Sequence, residues 1–118
     1  VNARASGEGR PRLAKVAEDA AAEYVASLGW RILRRNLYGT GGEIDIVALD
    51  GATVVFIEVK ARETRTFGSA LSAVDARKRA RIRAIAADFL QVVARNARAR
   101  FDVVAFENGK LRHYRNAF

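Results

Sequence analysis

Residues 41–62 read GGEIDIVALDGATVVFIEVKAR, and the second half of that run decides the fold. Residues 53–60, TVVFIEVK, hold Val54, Val55, Phe56, Ile57 and Val59, the β-branched and aromatic side chains of a sheet centre. Glu58 and Lys60 interrupt them, and alternation along a strand points both to one face. An unpaired buried charge is strongly unfavourable, so each needs a reason to be there. One strand earlier, Glu43 and Asp45 are expected on one face, with Ile44, Ile46 and Ala48 on the other. Asp50-Gly51 reads as the tight turn of a hairpin. The pattern is Asp45, twelve residues, then Glu58-Val59-Lys60. Carboxylates on adjacent strands beside a lysine suit a hard divalent cation and a phosphodiester.

Outward from this hairpin the chain punctuates itself. Residues 1–11 are rich in Gly and Arg and read as a flexible basic arm. Residues 13–28 place Leu13, Val16, Ala17, Ala20, Ala21, Tyr24 and Leu28 at helical spacing, with Gly29 as a C-cap. Residues 30–37 form an expected first strand, 38–42 a turn, 43–49 a second strand and 53–62 a third. Residues 63–69 are a polar loop, with Phe67 its expected anchor and stacking on a base the alternative. A long helix follows to about residue 94, capped by Ser72 or a neighbour. Residues 101–106 and 110–114 are two further strands, joined by the type I′ signal Asn108-Gly109. The order α-β-β-β-α-β-β predicts one α/β domain with a central mixed β-sheet flanked by helices.

The motif set GEID, a Gly-turned hairpin, IEVKAR, FGSALSAV and a helix containing Lys78 resembles the YraN-like bacterial family of the PD-(D/E)XK nuclease superfamily. The similarity covers roughly residues 13–104, and that family resembles archaeal Holliday-junction resolvases. The chain departs from the family pattern at Ala17, where a glycine is expected, and after the first strand, where Asn36 is followed by Leu37 and Tyr38 rather than an arginine. The resemblance implies a restriction-endonuclease-like core and a Mg²⁺- or Mn²⁺-dependent endonuclease acting on DNA, branched or structured DNA included. The rivals are a non-catalytic nucleic-acid-binding module on the same fold, and an accessory subunit whose basic helix binds a protein.

Composition bounds the alternatives. The chain has 118 residues, half of them hydrophobic, enough for one core. It holds no cysteine and one histidine, His113, which argues against thiolate zinc sites and multi-histidine metal centres. Neither a long apolar span nor a secretory pattern is read, so a cytoplasmic protein with no membrane partner is expected. Lys and Arg number 21 against 13 acids, a formal charge of +8 that favours a nucleic-acid partner. A homodimer is the expected assembly if a one-site nuclease is to cut both strands.

Asp45 and Glu58 are the first candidates for metal ligands, with a strand carbonyl, that of Val59, completing the protein donors. The alternative for these residues is a buried Glu58–Lys60 or Asp45–Lys60 ion pair that satisfies only itself. The resemblance implies that Lys60 orients or helps deprotonate the attacking water. Glu43, at the strand start, reads as a structural or peripheral acid, the alternative being contact with metal-bound water; whether Glu18 or Glu43 completes the metal site stays open. Glu18 lies about 100° from Ala17 on the first helix and can lean over the sheet, where the resemblance implies a further acid; Glu23, on the other flank, is its competitor. In the second helix, residues 77–83 pack five cations into seven positions: Arg77, Lys78, Arg79, Arg81 and Arg83. Extending the stripe Ile82, Ile85, Ala86, Phe89 and Val93 back one turn reaches Lys78, which should project toward the site. Arg62 and Arg65, after the third strand, are placed to grip flanking phosphates.

Overall fold

The computed structural model describes residues 9–62 and 74–118. Their elements follow in the expected order: α1 (Gly9–Ser27), β1 (Arg31–Gly39), β2 (Gly42–Asp50), β3 (Thr53–Arg62), α2 (Ala76–Val93), β4 (Arg98–Glu107) and β5 (Lys110–Tyr114). The strands form one mixed sheet in spatial order β1-β2-β3-β4-β5. β3 and β4 pair in parallel, and the other neighbours are antiparallel. A parallel neighbour requires a crossover, and α2 lies in that connection.

β3 is apolar on both faces because each face carries a helix. Val55, Ile57 and Val59 pack with Ala17, Ala21, Ala22 and Val25 of α1. Val54 and Phe56 pack with Ile82, Ile85, Ala86 and Phe89 of α2. The alanines of α1 let that helix lie close to the sheet. Its buried stripe is Ala17, Ala21 and Val25 at fourfold spacing, whereas Val16 and Leu28, expected in the stripe, are exposed. Val93 is likewise exposed, because the last turn of α2 extends beyond Phe89, its last buried residue.

The local signals differ in small, explicable ways. The β2–β3 turn is Gly51-Ala52 rather than Asp50-Gly51, since Asp50 still pairs with Thr53. Gly51 supplies the positive φ of +60° that the first position of a type II′ turn requires. At 108–109 both residues take positive φ, 56° and 80°, as a type I′ turn demands. Asp75 is the N-cap of α2 and accepts the Lys78 N–H at 2.9 Å. β4 starts at Arg98 rather than residue 101, because it pairs with β3 from Thr53 onward.

A polar network ties α1 to β4 and β5. Asp102, fully buried, accepts two hydrogen bonds from Arg100, one from the Asn116 N–H and a contact at 2.8 Å from His113 Nε2. The other ring nitrogen of His113 meets Tyr24 Oη of α1 at 2.8 Å. Burial opposes the Asp102 charge, yet the hydrogen bonds from His113, Arg100 and Asn116 hold its pKa below the usual value. This network locks α1, and therefore Glu18, against β4 and β5. No helix among the described residues is long and apolar enough to cross a membrane.

Candidate metal centre

The site forms where β2 and β3 part. Their registered pairs run from Asp50↔Thr53 to Ile46↔Ile57 and stop there. Beyond that point the Val59 N–H donates to Asp45 Oδ2 at 2.8 Å, so a side chain takes the place of a strand partner. The alternation of β2 breaks at the same residue. Ile46 and Ala48 face α1 as a pair, but Ile44, expected beside them, packs in the α2 core. β1 breaks opposite: Asn36, between the Arg35↔Ile46 and Leu37↔Ile44 pairs, takes a φ of +54°. Asparagine tolerates this left-handed backbone better than most residues.

Both helices reach this opening. Glu18 from α1 joins Glu43 and Asp45 of β2, with carboxylate oxygens within 4.8 Å of one another. Asn36 Nδ2 donates to Glu18 Oε1 at 3.5 Å and to Glu43 Oε2 at 3.4 Å, long bonds that bridge the two acids. Glu58 and Lys60 share the face toward α2, and Lys78 projects from α2 onto them. Lys60 Nζ stands 3.2 Å and Lys78 Nζ 2.5 Å from Glu58 Oε2. These residues line one cleft of about 330 Å³ with Gly41, Gly42 and Arg81.

Burial sets the electrostatics. It pushes the Asp45 carboxyl up to about 8, helped by the nearby charges of Glu58 and Glu18 and by its contact with Glu43; the Val59 N–H opposes them. Burial and the neighbouring Lys78 pull Lys60 below the ordinary lysine value. Lys78 is also partly buried, but its hydrogen bond and attraction to Glu58 outweigh that and raise its pKa. A carboxyl that holds its proton to such a high pH is short of positive charge. Oxygens on opposite sides of a Mg²⁺ ion stand about 4.2 Å apart, twice a metal–oxygen distance of about 2.1 Å. The all-oxygen set Glu18, Glu43 and Asp45, with oxygens within 4.8 Å of one another, is close enough to converge on one hard cation.

The structure therefore gathers Glu18, Asp45, Glu58, Lys60 and Lys78 in one cleft, and Glu43, whose part the sequence leaves open, lines it with them. Glu43 keeps the company of Asp45 that strand alternation gave it, and Glu18 reaches both from α1. Asn36 carried no sequence signal beyond being a polar residue inside a strand pattern. The Glu58–Lys60 pair weighed as an alternative is present, with Lys78 as a second cation on the same oxygen. Val59 lines the cleft, and its N–H is committed to Asp45. Of the basic residues, Arg77 is exposed and Arg81 crosses over Gly41 into the cleft. Arg79 donates to the Val74 carbonyl at 2.8 Å and lies over the Phe118 ring. Arg83 stacks over Phe101, 5.0 Å from the ring centroid. Arg65, Phe67 and Ser72 lie outside the described residues, as does the Arg62 side chain.

Residues 17–106 match the family model described as uncharacterised protein family UPF0102. A UPF0102 protein of Moorella thermoacetica is 48% identical over 97 residues, 81% of each chain. One from Ectopseudomonas mendocina is 43% identical over 111 residues, covering 90% of this chain and 93% of the relative. A third, from Symbiobacterium thermophilum, is 39% identical over 113 residues, covering 91% and 96%.

Proposed function

The chain belongs to the UPF0102 family, YraN-like members of the PD-(D/E)XK-like nuclease superfamily, and we propose that it is a divalent-metal-dependent endonuclease that hydrolyses phosphodiester bonds in DNA, branched or structured DNA included. The observation that carries this reading is the opposition, across one cleft, of the acid trio Glu18, Glu43 and Asp45 to Lys60 and Lys78. An acid trio alone would repel a phosphodiester, and lysines alone would bind it without cutting.

Glu18, Glu43 and Asp45 would hold Mg²⁺ or Mn²⁺, with Glu58 as a further donor from β3. The bound ion supplies Lewis acidity toward the phosphate and lowers the pKa of its water. Asp45 is fixed in place by the Val59 N–H, so its second oxygen keeps one direction. Lys60, its pKa lowered by burial, accepts or orients a proton of the attacking water more readily than an ordinary lysine. Lys78 and Arg81 line the α2 side of the cleft and neutralise the charge that develops on the phosphoryl oxygens. The exposed Arg77 and the neighbouring cations of α2 track the flanking backbone. The formal charge of +8 supports a nucleic-acid partner, and the site and partner together fit a cytoplasmic protein.

The rival reading, a binding module that retains the fold, draws on Glu58 being fully neutralised within the protein by two lysines. A panel of linear, single-stranded, flap and four-way DNA substrates in Mg²⁺, Mn²⁺ or EDTA separates the two. The enzyme cuts at least one substrate, only with metal, and Asp45→Asn abolishes cutting while leaving affinity equal or slightly higher. Tight, salt-sensitive binding without cleavage of any substrate, unchanged in Asp45→Asn, would favour the module.

A further inference from the structure

Glu58 has more positive charge than it needs. Its carboxylate is 6% exposed, and one oxygen receives both Lys60 at 3.2 Å and Lys78 at 2.5 Å. One buried carboxylate needs one counter-ion. Lys60 sits two residues away on the same strand face and is fixed by the backbone that also positions Glu58. Lys78 comes from the opposing helix on a four-carbon stem, its side chain 30% exposed at the cleft wall. If Lys78 leaves, Glu58 keeps Lys60 and is not stranded as an unpaired buried charge, which would be strongly destabilising. An oxygen held by two ammonium groups is also poorly placed to donate to a cation.

We propose that Lys78 is an exchangeable counter-ion that couples metal and DNA binding. In the free protein it occupies Glu58. A phosphodiester entering the cleft draws it onto a phosphate oxygen, and Glu58 is released toward the divalent cation bound beside it. Each charge changes partner and none is left unpaired. Linkage makes the effect reciprocal: DNA raises metal affinity by the same factor by which metal raises DNA affinity. The inference rests on the proposed metal-dependent reading of this cleft and names how that site is kept from loading fully before substrate arrives.

Arg81 provides the control. It lines the same cleft and carries the same charge, but its side chain lies over Gly41 rather than on Glu58. Arg81→Met therefore removes a nearby positive charge without removing the contact. Ca²⁺, an oxygen-seeking cation, is the probe, titrated calorimetrically into protein alone and into protein saturated with a short DNA duplex confirmed intact afterwards.

In wild type, DNA should raise Ca²⁺ affinity within the range of about 5- to 150-fold typical of coupled sites. In Lys78→Met, and in the polar variant Lys78→Gln, Ca²⁺ should bind the DNA-free protein several-fold more tightly than it binds Arg81→Met. The enhancement by DNA should shrink to about twofold or less in both Lys78 variants and persist in Arg81→Met. Equal DNA-free affinities in the Lys78 and Arg81 variants, or coupling undiminished without Lys78, would overturn the exchange while leaving the metal site standing. No Ca²⁺ binding in any form would instead remove the metal site, and the exchange with it.

Discussion

Asp45 sits at the break between β2 and β3, and its buried proton gives a testable sign. Its carboxyl titrates at about 8 in the folded protein against 3.8 for an ordinary aspartate. Between those values the folded state holds a proton that the unfolded chain has shed. Stability from this group therefore falls as pH rises through that window and levels off above it. In EDTA, wild type should lose melting temperature more steeply than Asp45→Asn from about pH 5 to about pH 8. Equal slopes would contradict the buried-acid assignment. Asn36 offers a second test at this scale. Alanine there must hold a positive φ, which costs about 1–2 kcal/mol, whereas glycine adopts it freely. Chemical denaturation should find Asn36→Ala less stable than Asn36→Gly, while calorimetry should find Mn²⁺ binding weakened in both, because both lose the amide that bridges Glu18 and Glu43. Asp45, Glu58 and Lys60 were legible in the sequence because charges stand out in an apolar run, and Glu18 was legible from helical phase. Glu43 was legible on the Asp45 face, with its part in the site left open; Asn36 was not legible, because a break in strand alternation leaves composition unchanged.

At the scale of elements, α2 must approach the β1–β2 turn closely enough to bring Lys78 and Arg81 into the cleft. Gly39 is where that approach is tightest: a Cβ there would stand 2.6 Å from Ile85 Cγ1, a buried core atom with little room to yield. Gly39→Ala should cost about 1–3 kcal/mol in urea denaturation, the usual penalty of overpacking. A neutral result would mean that α2 sits farther from the turn. Element order and type followed from periodicity and turn chemistry, and β3 was plain because both its faces are buried. The helix cap and the ends of β1, β2 and β4 shifted, and α1 begins at Gly9, inside the stretch read as a flexible arm. Ends depend on partners distant in sequence: β4 begins where β3 offers a pairing edge, and the α1 stripe is the one that meets Val55 and Ile57. The Asp102–His113–Tyr24 network joins three separate elements, which no local pattern announces.

Across the whole molecule, the excess of cations sets the expected behaviour with DNA. Each phosphate contact contributes about 0.9 to the slope of log affinity against log salt. Replacing Arg77, Arg81 and Arg83 together should lower that slope by about 2 to 3 units, the lower figure if Arg83 stays on Phe101 when DNA binds. A slope unchanged within error would move the DNA surface away from α2. Whether this cleft holds a divalent cation on Asp45 is read from anomalous diffraction of crystals soaked in Mn²⁺. A single strong peak is expected within coordination distance of Asp45 and at least one of Glu18, Glu43 and Glu58. A peak elsewhere, or none while Glu58 stays bound to Lys60 and Lys78 and Asp45 keeps only the Val59 N–H, would contradict a cation site on Asp45.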